Sequence, residues 1–182
     1  MPTTKTLTIK QEKNLKRAVE YILDPLKTKN QTLTSGHKIN AVNNAFFEMN
    51  LTRKLAQNIK GLNNKKSNEE VIARHIIQSF DPTDNLTAEE VHEIGRQTAL
   101  EFLGEDYEFV VATHVDKDHL HNHIIFNTTS SVDLKKFRWQ RGTAAHLRNY
   151  SDKVADYHGA MILDTPKRNS YKKYQEYRRK NA

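Results

Sequence analysis

The chain predicts an α+β domain: a central antiparallel sheet of about five strands, helices packed on it, and a histidine-bearing hairpin at its centre. Three observations carry this. Strand and helix periodicities alternate in the order β-α-(β)-α-β-α-β-β-α-(β). Residues 107–128 read as two adjacent apolar strands, and such a hairpin forces antiparallel pairing rather than a doubly wound parallel sheet. The run THVDKDHLHNHIIFN, from Thr113 to Asn127, places His114, Asp116, His119, His121 and His123 within ten positions.

Taking the elements in order, Thr3 to Ile9 alternates as a first strand. A helix is expected from about Lys13 to Leu23, with Leu15, Ala18, Val19 and Ile22 at helical spacing, ended by Asp24-Pro25 because the residue before proline avoids the helical region. Residues 26–40 read as loop, with a short strand around Leu33 and a turn at Gly36. Ala41 to Gln57 is a second helix, followed by the polar loop GLNNKKSNEE. Val71 to Phe80 is a strand. Thr87 and Glu90 form a capping box for a helix that reaches about Leu103 and stops at Gly104. After the hairpin, Thr143 to Tyr157 is a helix, Gly159 to Leu163 is expected as an edge strand, and the tail from Lys167 as a basic helix.

With 182 residues, the chain can bury roughly 70% of its unfolded surface as one domain. Hydrophobic residues make up 36% and charged ones 28%, a composition of folded soluble domains. No apolar run nears the roughly 20 residues that span a bilayer, and the N-terminus has no apolar signal core, so no membrane insertion and a cytoplasmic setting are expected. The absence of cysteine excludes disulfides and thiolate zinc sites. The net charge of +7 is concentrated in YKKYQEYRRK at 171–180 and in Lys135, Lys136, Arg138 and Arg141 around the single tryptophan, Trp139. Basic residues interleaved with aromatics suit a polyanion with stackable bases, and Arg138, Trp139 and Arg141 are candidates for a single-strand groove.

The hairpin carries the chemistry. Strand side chains alternate faces, so His121 and His123 share one, as do His114 and Asp116. A two-residue turn near Lys117 and Asp118 would set Asp116 opposite His119 and His114 opposite His121. All five polar groups would then converge, with Phe109, Val111, Val115, Leu120, Ile124 and Phe126 on the other face. That is a metal site, with His119 expected as a turn residue or a donor to the ligands. His75 and Ser79 share a face of their own strand. His158 reads as structural, and His37, His92 and His146 as surface residues.

On these motifs the chain resembles the HUH endonucleases, and among them the conjugative relaxases of the MobP-like (VirD2-like) class. Four segments match in order over residues 1 to about 165: EYILDPLKT at 20–28, HIIQSF at 75–80, HVDKDHLHNHIIFN at 114–127 and DYHGAMIL at 156–163. The resemblance implies a tyrosine nucleophile at Tyr21, metal ligands at His114, His121 and His123, and an acidic helper at Asp116. It places a DNA contact at Ser79 and the motif's closing residue at Asn127. Two positions depart from the pattern. Asn122 stands between the paired histidines where an apolar residue is usual, and Asp24 stands where asparagine is.

A phosphodiester repels nucleophiles, and an ion held by neutral imidazoles keeps its full charge to offset that repulsion. The expected ion is manganese or magnesium, with zinc, nickel or cobalt as alternatives. The resemblance implies a metal-assisted nickase that cuts single-stranded or supercoiled DNA at an origin of transfer, leaving a 5′-phosphotyrosine and a free 3′-hydroxyl. It further implies accessory relaxosome proteins and a coupling protein as partners, with residues 166–182 leading into further regions. Lys27 and Lys29 are candidate phosphate contacts. Rival readings are a rolling-circle initiator using Tyr150 in Tyr150-Ser151-Asp152-Lys153, a non-covalent phosphohydrolase, and a DNA-binding module braced by metal.

Overall fold

A computed structural model describes residues 2–60 and 70–162. Its elements are β1 (Thr3–Ile9), α1 (Glu12–Ile22), β2 (Thr34–His37), α2 (Ala45–Lys60, entered through a 3₁₀ turn at Val42–Asn44), β3 (Ala73–Ser79), α3 (Ala88–Leu103), β4 (Phe109–His114), β5 (His121–Asn127) and α4 (Thr143–Tyr157). The strands form one sheet in the order β1-β3-β5-β4-β2, every neighbour antiparallel. The predicted α+β sheet is therefore observed, with the histidine strand β5 in its middle.

Helices cover both faces, which explains why all seven residues of β5 are buried. On one face, Leu15, Val19 and Ile22 of α1 and Met49 of α2 pack on Val110, Ala112 and Ile125. On the other, Ala99 and Leu103 of α3 and Leu147 of α4 pack on Ile76, Phe109, Val111, Ile124 and Phe126. Strand alternation puts His121 and His123 on the α1/α2 face with Ile125, and Asn122 on the α3/α4 face with Ile124.

The capping box forms as expected: the Glu90 amide donates to Thr87 Oγ1 at 3.2 Å and the Thr87 amide to Glu90 Oε2 at 2.7 Å. Gly104 ends α3 at a φ of 70°.

Three expectations change. Gly36 lies inside the edge strand β2, paired with Val110, rather than in a turn. The hairpin turn is a six-residue loop, because the last ladder pair is His114 with His121. Both loop stems are recruited elsewhere: the Val115 amide donates to Lys27 O at 2.9 Å and the Phe80 amide to Leu120 O at 3.0 Å. Asp116 and His119 thus lie in the loop and not opposite each other in a ladder. Lastly, Gly159 starts no strand. At a φ of 82° it closes α4, its amide bonding Asp156 O at 2.9 Å while the Ala160 amide reaches Ala155 O at 3.0 Å, a left-handed helix cap. The polar loop at 61–69, the end of the expected edge strand at Leu163, and the basic tail with its boundary near 165 fall outside the described residues.

Candidate metal centre and its tyrosine

His114 ends β4, and His121 and His123 open β5. One nitrogen from each ring lies within 4.8 Å of the others, close enough for one ion. In each ring the other nitrogen is already engaged. Nε2 of His114 donates to the Ile22 carbonyl at the end of α1, 2.9 Å away. Nδ1 of His121 reaches the His119 carbonyl at 3.2 Å, and Nδ1 of His123 lies 2.8 Å from Nε2 of His75. This leaves Nδ1 of His114 and Nε2 of His123 buried without a hydrogen-bond partner. A buried nitrogen without a partner is costly, so two such nitrogens in a trio of rings close enough to share one ion fit a metal-binding role.

Burial pushes the pKa values of His114, His121 and His123 downward. His75 is lowered to about 4 by burial and then by His114. These rings are neutral near pH 7, the form that offers a lone pair to a metal. With Nε2 of His123 as a lone pair, its Nδ1–H donates to His75, so His75 fixes the orientation of a ligand ring.

Tyr21 is the penultimate residue of α1. Leu15, Val19 and Ile22 face the core, which leaves the phenol on the flank, 46% exposed. Its ring centroid is 5.6 Å from that of His114 and 5.8 Å from that of His123. Lys27 Nζ stands 4.5 Å from the Tyr21 centroid and 3.2 Å from Asp116 Oδ2. The Asp116 contact comes first among the causes that raise the Lys27 pKa. Burial is the largest single influence on the Asp116 carboxyl and raises it, but the hydrogen bond and charge of Lys27, with smaller help from the backbone and His114, turn the net shift downward.

The segment after α1 is wound to hold Lys27 there. Asp24 Oδ1 accepts from the Leu26 amide at 3.0 Å, so the aspartate supplies the acceptor oxygen an asparagine would have offered. Thr28, fully buried, donates from Oγ1 to Asp24 O at 2.9 Å. Lys29, Asn30 and Gln31 take successive left-handed φ values of 47°, 56° and 65°, a conformation that costs side-chain-bearing residues energy and concentrates at functional sites.

The structure brings Ser79 beside this cluster, paired with His121 on the same face. It turns Lys29 toward α3, where Nζ pairs with Glu89 at 2.9 Å. Asn127 sits at the far end of β5, donating to Met49 O at 3.0 Å and Glu108 Oε2 at 2.7 Å. Trp139 is not at the cluster: it packs on Phe102 over the α3/α4 face, with Arg74 Cζ 4.0 Å above its ring. Tyr150 lies in α4, on the helix layer opposite the histidines.

His92 is half-buried, not a surface residue, bridging Thr113 Oγ1 at 2.8 Å and Ser35 Oγ at 3.0 Å. It belongs to a network centred on Asn122. That side chain accepts from Thr113 Oγ1 at 2.6 Å and donates to Gln78 Oε1 at 2.8 Å and Val91 O at 2.7 Å, and Gln78 continues to Ser151. Gly95 of α3 makes the room: a Cβ there would lie 2.5 Å from Asn122 Nδ2. Asn122 announces its need for partners in the sequence, but nothing local identifies them.

The family model described as relaxase, MobA/VirD2-like, nuclease domain, matches residues 21–160. The chain is 40% identical over 194 aligned positions to the group II intron-interrupted relaxase LtrB of Lactococcus lactis, covering 91% of this chain and 34% of the relative. It is 35% identical over 104 positions to protein rlx of Staphylococcus aureus, covering 57% and 31%. The chain thus spans about a third of the length of the curated relatives it matches. Among solved structures, it superposes on the MobM relaxase domain, a manganese-bound complex with oriT DNA of plasmid pMV158, with a TM-score of 0.62 at 12% identity over 97% of this chain and 98% of that one. A structure concerned with vancomycin-resistance transfer in Staphylococcus aureus superposes with a TM-score of 0.58 at 12% identity, over 91% and 100%. Those two superpositions speak for the fold.

Proposed function

The chain belongs to the MobA/VirD2-like relaxase nuclease-domain family, and from that premise we propose that it nicks single-stranded DNA at an origin of transfer, with Tyr21 as nucleophile and a divalent ion held by His114, His121 and His123. The observation that carries the proposal is the meeting of the Tyr21 phenol with two buried, unpartnered imidazole nitrogens.

The ion would supply positive charge opposite a non-bridging phosphoryl oxygen as the phosphorane develops. Manganese or magnesium is the expected occupant, manganese being favoured by the imidazole donors and magnesium by oxygen ligands; zinc, nickel and cobalt would also accept this donor set. The protein's own groups do the rest. Tyr21, projecting from the end of a rigid helix, presents its oxygen to the phosphorus. The Tyr–O–P bond forms as the P–O3′ bond breaks, the phenolic proton leaves to solvent and the 3′-oxygen takes one up. The ester keeps the energy of the broken bond, so the step is reversible and can rejoin ends. Ser79, on the histidine face, would meet DNA beside the break.

We assign the reaction to a bacterial cytoplasm, where accessory relaxosome proteins and a coupling protein would act on the same DNA. Among the described residues no helix is long and apolar enough to cross a membrane. A rolling-circle mode through Tyr150 is disfavoured by the position of α4 across the sheet.

The test uses single-stranded oligonucleotides tiling the element that encodes the protein, incubated with manganese and run on a denaturing gel. A protein–DNA adduct in wild type and Tyr150→Phe but not in Tyr21→Phe is the expected result. Cleavage without an adduct would favour a water-using phosphohydrolase. No cleavage, with binding retained, would favour a DNA-binding module.

A further inference from the structure

We infer that Lys27 is a catalytic residue acting on the Tyr21 phenol itself, with Asp116 as its positioning residue; this rests on the reading of Tyr21 as nucleophile. A lysine beside a nuclease centre is ordinarily read as a phosphate grip, but Lys27 is placed differently. Its ammonium already lies 4.5 Å over the Tyr21 ring and 3.2 Å from the Asp116 carboxylate. Its side chain is only 23% accessible, against 48% for Lys29 two residues on.

The backbone is fixed as well. The Lys27 carbonyl accepts from the Val115 amide at 2.9 Å, one residue from Asp116, so the loop that carries the carboxylate and the turn that carries the lysine are joined. Fully buried Thr28 and the three left-handed residues that follow keep the turn from relaxing. A phosphate-gripping lysine needs reach, and this one is held short.

What such a charge can do follows from where electrons move. In the cleavage direction the phenol oxygen bonds to phosphorus and the 3′-oxygen departs. In the rejoining direction the 3′-oxygen attacks and the Tyr–O–P bond breaks, leaving negative charge on the phenol oxygen and spread into its ring. An ammonium over that ring attracts the charged form more strongly than the neutral one, and so favours the transition state over the resting states on either side. Lys27 remains protonated throughout and transfers no proton. Asp116 keeps the ammonium from swinging out to solvent.

The experiment takes the tiling oligonucleotide that gives the strongest adduct and measures single-turnover adduct formation at saturating DNA with manganese. DNA affinity is measured separately, by fluorescence anisotropy in a Tyr21→Phe background. Lys27→Met should slow adduct formation and rejoining by about 10- to 100-fold, the loss of one aimed charge at a partly exposed site. DNA affinity should stay within about twofold, and its salt slope should not change. Lys27→Arg, which keeps the charge, should restore most of the rate. Asp116→Asn should slow wild type but add little in the Lys27→Met background, since it would act through the lysine. Weakened affinity with a salt slope smaller by about one, and an unchanged rate at saturation, would make Lys27 a phosphate contact and overturn the inference. So would additive effects of the two substitutions. A wild type that forms no adduct with any oligonucleotide would instead remove the nucleophile reading, and this inference with it.

Discussion

Gly95→Ala should destabilise the protein, against the usual sign of that substitution. In a helix interior, alanine in place of glycine ordinarily gains about 1 kcal/mol. Here the new Cβ would lie 2.5 Å from Asn122 Nδ2 and 2.7 Å from its Cγ. Asn122 has no free direction to retreat, because it holds Thr113, Gln78 and Val91 O in bonds of 2.6, 2.8 and 2.7 Å. Moving it would leave at least one buried polar group unpaired, at about 1–3 kcal/mol, besides overpacking of similar size. After the helix gain is subtracted, a mid-range net loss of about 3 kcal/mol remains, or a melting temperature lower by about 6–12 °C for a chain of this length. Because Asn122 lies between His121 and His123, manganese affinity should fall too. Circular dichroism melts and calorimetric titration would read the two effects. Pairing Gly95→Ala with Asn122→Ala should show coupling of more than about 1 kcal/mol, since truncating Asn122 clears the clash. A Gly95→Ala protein that melts at or above wild type would refute the packing argument.

Three further outcomes are expected. His75→Ala should weaken manganese binding by about 10- to 100-fold with all three ligand residues intact, as calorimetry would show; unchanged affinity would mean the His75–His123 bond orients nothing. Metal-free protein should lose stability in acid. The folded pKa of His75, about 4, lies below its unfolded value of 6.5, so the unfolded chain takes up the proton first as the pH falls. That stability is whole above about pH 6.5, is lost progressively toward pH 4, and amounts to on the order of 3 kcal/mol from this group alone. The three ligands shift in the same direction. Urea midpoints that stay flat from neutral to acid pH would contradict it. Asn127→Asp sets a second carboxylate against buried Glu108, whose pKa is already raised by burial. It should cost on the order of 3 kcal/mol in urea unfolding while leaving manganese affinity of the folded protein unchanged, because Asn127 ties β5 to α2 far from the cluster; a weakened affinity at full stability would assign it to the site.

What the sequence conveys and what it withholds divide along physical lines. β1, α4 and the capped α3 are legible because their signals are local: alternation, a 3.6-residue period, and Thr87 with Glu90 three positions on. The same-face placement of His121 and His123 follows from strand alternation alone. The loop at 115–120 misleads because its length is set by Lys27 and Phe80, partners that are distant in sequence or belong to another strand. Gly159 carries a turn signal that fits a strand start and a helix cap equally well, and only the α4 carbonyls it satisfies decide between them. His92 reads as a surface residue because its partners, Thr113 and Ser35, come from two other elements. Trp139 and its basic neighbours suggest a groove by composition, yet Phe102 and Arg74 hold the tryptophan against the face away from the histidines. Lys27 and Lys29 look equivalent along the chain, and only the left-handed turn separates their destinations.

Mass-spectrometric peptide mapping of the manganese-dependent DNA adduct tests the account most directly. The expected label is a nucleotide joined through its 5′-phosphate to the peptide that contains Tyr21, lost when His114, His121 or His123 is replaced by alanine. A label on Tyr150 or any other residue, or the same label formed at full rate without metal or without those histidines, would contradict it.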